Sequence, residues 1–141
     1  MRGGRDDGGS VTMLMPACVL VVLVLASIAV DMTLVHLRQR QAFDAAAAAA
    51  NDAVVAGVDP DGLRGGTYRL DPVRVRRLVG QAIDASEIAT HLAAPPEITV
   101  EADTVAVVLE VEADYLFTAA MPGAPDGMVV TARASATAVA P

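Results

Sequence analysis

VTMLMPACVLVVLVLASIAV, residues Val11 to Val30, is the stretch that decides the fold. No side chain in it carries a formal charge, and the uncharged span runs from Gly8 up to Asp31. A helix of about 20 residues rises roughly 30 Å, the hydrocarbon thickness of a bilayer. The sequence therefore predicts a transmembrane helix over residues 11–31, preceded by a flexible, Gly-rich tail over residues 1–10. The rest of the chain, to Pro141, must then lie on one side of the membrane.

The main rival is a cleaved secretory signal. Arg2 and Arg5 could serve as its basic start, and Ser27-Ile28-Ala29 places small residues at the cleavage-determining positions, so that Val30 would begin the mature chain. Against it, the apolar run is longer than such signals use, and a helical pattern continues unbroken through Asp31–Ala56. A lipoprotein anchor on Cys18 is excluded because the apolar run follows that cysteine. Pro16 lies one turn inside the helix, where it removes a backbone donor. Ser10 and Thr12 are both N-cap candidates. Asp31 marks the exit from the apolar zone, either as an interfacial residue or as a polar contact to a neighbouring subunit.

Beyond Asp31 the Ala-rich segment 32–57 has no Gly or Pro before Gly57 and holds six consecutive alanines, Ala45–Ala50. Alanine is the best helix former, so the anchor helix should continue into solvent, from about Thr12 to Ala56. Leu34, Leu37, Gln41, Ala45, Ala48 and Asp52 follow a spacing of three and four. An alanine face permits close approach of another backbone, either the protein's own sheet or a second subunit. Ala45, Ala46, Ala48 and Ala49, with Pro16 and Asp31, are the candidate packing and assembly positions. Gly57 ends the helix as a C′ residue.

Residues 58–141 read as a small α+β domain. Asp59-Pro60-Asp61-Gly62 is turn chemistry, and Gly65-Gly66 lacks the Lys-Ser/Thr of a phosphate loop. Asp71-Pro72 is a strong helix start, and Val75, Leu78, Val79, Ala82 and Ile83 form one apolar face of a helix expected to reach Leu92. Arg74, Arg76 and Arg77 fit a solvated face. Strands follow at Glu97–Ala102, Thr104–Phe117 and Met128–Val139. In the second, Val105, Val107, Leu109, Val111, Ala113 and Tyr115 alternate with Ala106, Val108, Glu110, Glu112 and Asp114. In the third, Met128, Val130 and four alanines oppose Val129, Thr131, Arg133, Ser135, Thr137 and Val139. The expectation is a three-stranded antiparallel sheet with one face covered by helix, entered through a hairpin around Asp103 and a turn over Met121–Gly127.

Composition narrows the function. The net charge of −7 argues against nucleic acid, whose phosphates would repel it. The chain has no Trp, two Phe and two Tyr, so its core is light. All ten basic residues are Arg, a skew that with the Ala/Val/Gly richness suggests a high-GC bacterial genome. Cys18 has no partner for a disulfide and no neighbouring ligand for a metal. Glu110, Glu112 and Asp114, with Glu101 across from them, could pair for acid/base work or bind calcium, but a solvated outer face explains them as well. His36 and His91 are isolated. The sequence carries no catalytic, cofactor or metal constellation, and no enzyme is expected.

Gly8-Gly9-Ser10-Val11-Thr12, an apolar helix with Pro16, Ala29-Val30-Asp31 and a long Ala-rich helix together resemble the TadE/TadG-like proteins of tight-adherence (Flp) pilus systems, most closely their small actinobacterial members. The resemblance covers residues 8–56. It implies a minor pseudopilin or pilus-assembly component, with a long N-terminal helix half in the membrane and half packed on a small sheet. Its partners would be the lipid bilayer, other pilin-like or Tad assembly proteins, or further copies of itself. It also implies a prepilin peptidase cutting after Gly9 to leave Ser10 as the N-terminus. The chain departs from the pilin pattern in having Leu14 where a glutamate stands five residues into the mature chain, which leaves a permanently anchored assembly protein equally compatible. Arg2 and Arg5 against Arg38 and Arg40 give a nearly even positive-inside count. With the resemblance, they favour a cytoplasmic N-terminus and an extracytoplasmic domain. The alternative function is an anchored sensor or binding module of a secretion or envelope complex.

Overall fold

The computed structural model describes residues 8–64 and 69–138. Arg2 and Arg5, Gly65-Gly66 and Val139 lie outside them. Helix α1 spans Gly8–Ala56, 49 residues with Pro16 inside it, or about 74 Å at 1.5 Å per residue. It begins at Gly8 rather than near Thr12, so Gly8–Ser10 belong to the helix and not to a flexible tail, and neither Ser10 nor Thr12 is its N-cap. Among the described residues one helix, then, is long and apolar enough to cross a membrane. Its most apolar window is only 11% buried, whereas the core helix of a globular domain would be mostly covered.

A short helix α2, Pro60–Arg64, occupies what reads in sequence as a plain turn. Helix α3 spans Pro72–Asp84, with Asp71 as its N-cap: the carboxylate accepts from the N–H groups of Val73 and Arg74, and Pro72 fills the first position. Val75, Val79 and Ile83 are its buried residues, with Leu78 and Ala82 half-buried beside them. The helix stops at Asp84 instead of reaching Leu92. Ser86 turns both its N–H and its hydroxyl onto the Ile83 carbonyl, and the chain resumes as a 3-10 turn over Glu87–His91. Such side-chain bonds to nearby carbonyls compete with the regular helical ladder.

Strands β1 (Glu97–Glu101), β2 (Thr104–Asp114) and β3 (Gly127–Thr137) form an antiparallel sheet in the order β1-β2-β3. The fold is α+β. The β1–β2 hairpin turns on Ala102 and Asp103, with Ala102 at φ 42°, in the left-handed region that tight hairpins demand. The inward face is the one its alternation marks: Val105, Val107, Leu109, Val111 and Ala113 from β2, and Val130, Ala132, Ala134 and Ala136 from β3, are all buried. Helix α1 covers β2 and β3, and α3 packs beside it.

The buried face of α1, turned to the sheet and to α3, is Val35, Ala42, Ala46, Ala49, Ala50, Ala53 and Val54. This is a correction: the stripe Leu34, Leu37, Gln41, Ala48 and Asp52 is exposed, and only Ala45 of that series is partly covered. The helix is rotated by one residue, about 100°, from the phase its larger side chains suggest.

Gly57 closes α1 for a reason of space. Its N–H bonds the Ala53 carbonyl at 2.8 Å and its own carbonyl accepts from Asp71 N–H at 2.9 Å, joining the end of α1 to the start of α3. A Cβ there would lie 2.3 Å from the Ala53 oxygen and 2.5 Å from Cγ2 of fully buried Val75. Gly57→Ala is therefore expected to cost about 2 kcal/mol through overpacking, read as a lowered Tm with an unchanged helix content.

Candidate functional site

The described residues concentrate their unusual chemistry where the exposed half of α1 gives way to the packed half. Residues Leu14 to Val30 are exposed, apart from half-covered Ser27. Asp31 is then 1% exposed, the one buried charged side chain among the described residues. Its partners come from the β2–β3 connection. Oδ1 accepts from the N–H groups of Leu116 at 2.8 Å and Phe117 at 2.9 Å. Oδ2 accepts from the N–H of Thr118 at 2.7 Å and its hydroxyl at 2.5 Å.

Four donors and two carboxylate oxygens satisfy one another, and among the described residues no buried side-chain polar atom is left unpaired. Charge-assisted bonds of this kind are the strong ones, and here they span 85 to 87 residues of sequence. Asp31 thus serves a 3-10 turn at Thr118–Ala120 much as an N-cap serves its own helix, but from another element. It ties α1 to the β2–β3 connection at the point where the exposed half of the helix ends.

The other sequence-predicted positions scatter. Gly9 and Ser10 lie in the first turn of α1, far along the helix from Asp31. Pro16 and Cys18 are exposed on its apolar half, and the thiol is free. Ala46 and Ala49 are buried against the sheet, Ala45 is partly covered and Ala48 is exposed. Glu110, Glu112 and Asp114 share the outer face of β2, all exposed. Glu101 is not across from them: it pairs with Thr104 at the opposite end of β2, about 20 Å from Glu110 at strand rise. No group of three metal-ligating side chains occurs among the described residues.

The outer edge of β3 is unpaired among the described residues. Tyr115 N–H bonds the Asp126 carbonyl and Ala138 N–H bonds the Asp103 carbonyl. Antiparallel alternation then directs the backbone groups of Val129, Thr131, Arg133 and Ser135 away from β2, along the open edge.

What the sequence reading missed is the partner of Asp31. A signal was present: Leu116–Pro125, LFTAAMPGAP, is free of charge between Asp114 and Asp126 in an otherwise acidic domain. Comparison with protein-family models, curated proteins and solved structures returns no match.

Proposed function

We propose that this chain is a non-enzymatic, membrane-anchored assembly component, a minor pseudopilin or accessory subunit of a tight-adherence-type pilus or related secretion system. The single observation that carries the reading is α1 itself. Its first half, Leu14–Val30, is exposed among the described residues apart from half-covered Ser27. Its second half is the spine of a three-stranded antiparallel sheet, and no break separates the two. An element built this way transmits position between a membrane and a domain, and it offers its apolar half to lipid or to neighbouring helices.

In this reading the N-terminus is cytoplasmic and the domain extracytoplasmic, with other pilin-like subunits or further copies as partners. The exposed stripe Leu34, Leu37, Gln41 and Ala48 is the face available to them outside the membrane, and the resemblance of residues 8–56 to TadE/TadG-like proteins supports the same plan.

The test is the N-terminal residue of the protein purified from its native membrane, by intact mass and peptide sequencing. A start at Ser10 means cleavage after Gly9 by a prepilin-type peptidase and supports a pseudopilin. An intact Met1 or Arg2 supports a permanently anchored assembly protein. A start at Val30 means a secreted domain and overturns the anchor.

A further inference from the structure

We propose that the β2–β3 connection, Leu116–Pro125, is a second membrane contact, seated in the headgroup and upper acyl region of the bilayer that α1 crosses. The inference rests on α1 being a membrane span, and it adds a surface which that reading does not require.

Position is the first argument. The last ladder bond of β2 and β3 joins Tyr115 to Asp126, so the connection lies beyond the strand ends. Leu116, Phe117 and Thr118 are hydrogen-bonded to Asp31, the residue immediately after the apolar run. The loop therefore sits at the height where the span leaves the hydrocarbon. Ser27, one turn nearer the membrane on the face of Asp31, is the one residue from Leu14 to Val30 that is partly covered.

Chemistry is the second. Leu116 is 62% exposed, Phe117 44% and Met121 46%, a cost in water that lipid removes. No residue from Leu116 to Pro125 carries a charge. Half-buried Tyr115 and exposed Phe117 put two of the chain's four aromatics here; Tyr is enriched at the membrane–water boundary, and Phe and Leu are apolar side chains that interfacial segments bury in lipid. Asp114 and Asp126 bracket the loop and mark where water resumes. Among the polar groups that would resist insertion, the N–H groups of Leu116, Phe117 and Thr118 and the Thr118 hydroxyl are satisfied by Asp31, and the carbonyls of Phe117 and Thr118 accept from the N–H groups of Ala120 and Met121.

Because the loop lacks basic residues, its contact is apolar and should not need anionic lipid. The chain has no Trp, so one introduced Trp reports alone. Phe117→Trp and, separately, Leu23→Trp in the full chain would be placed in phosphatidylcholine vesicles whose acyl chains carry bromines at shallow or deep positions. Leu116→Trp serves as a second loop reporter should Phe117→Trp fail to fold. The expected result is loss of loop emission with shallow bromines and loss of Leu23→Trp emission with deep ones. If Leu23→Trp is quenched while the loop reporter stays bright and is quenched by aqueous iodide, the loop is in water and the proposal falls, though the span stands. If the loop reporter resists both quenchers, protein covers it, and the proposal falls again. If bromines quench neither reporter, the span fails and takes the loop contact with it.

Discussion

Asp31→Ala is expected to lower the Tm of the detergent-solubilised protein by on the order of 10 °C and to abolish amide-exchange protection at Leu116, Phe117 and Thr118. The truncation leaves three backbone N–H groups and a hydroxyl without the acceptor that now faces them at 2.5 to 2.9 Å. Asp31→Asn keeps the shape but should not restore protection. An amide NH2 at the Oδ1 position meets two backbone donors, and at the Oδ2 position it meets the Thr118 N–H. Thr118→Val removes the hydroxyl bond alone and should cost much less. In an Asp31→Ala background it should cost nothing more, because the acceptor is already gone. Protection at the three amides that survives Asp31→Ala would mean that the carboxylate is not what holds the loop.

The parts of the fold legible in sequence are those whose signals are local. Twenty uncharged residues announce α1, alternation announces β2 and β3, and Asp71-Pro72 announces α3 within one residue of its start. The rotation of α1 was not legible. Six consecutive alanines carry no phase, and the larger Leu34 and Leu37 point to the exposed side. The buried face begins at Asp31, whose partners lie more than 80 residues away, a pairing that no window of periodicity contains. The end of α3 at Asp84 is not legible for a related reason. Nothing in its apolar pattern reveals that Ser86 will spend its hydrogen bonds on Ile83. The candidate assembly positions all lie in α1, but without its rotation the sequence does not separate the inward alanines from the outward one.

That rotation separates the alanines that pack the domain from the one left on the surface, and Ala46→Leu is the sharpest way to show it. Ala42, Ala46, Ala50 and Ala53 are each 0% exposed, and α1 lies against β2 and β3, whose inward residues include Leu109 and Ala134. Alanine lets the helix and sheet backbones approach closely. Three added carbons at position 46 find no void, so α1 must lift from the sheet or neighbouring side chains must leave their rotamers. The expected cost is about 3 kcal/mol, seen as a lower Tm and a less cooperative transition. Serine at Ala46 or Ala49 places a hydroxyl in the same dry contact and should also destabilise, by about 1 kcal/mol. Loss of a complex in those serine variants would therefore report on the fold and not on a subunit interface. Ala48→Leu is the complementary change: Ala48 is exposed, and the effect on stability should stay within about 0.5 kcal/mol. If neighbouring subunits pack on the outward stripe, Ala48→Leu breaks the complex while leaving the monomer intact, whereas Ala46→Leu weakens both. Equal stability of wild type and Ala46→Leu would mean that the helix does not rest on the sheet through its alanine face.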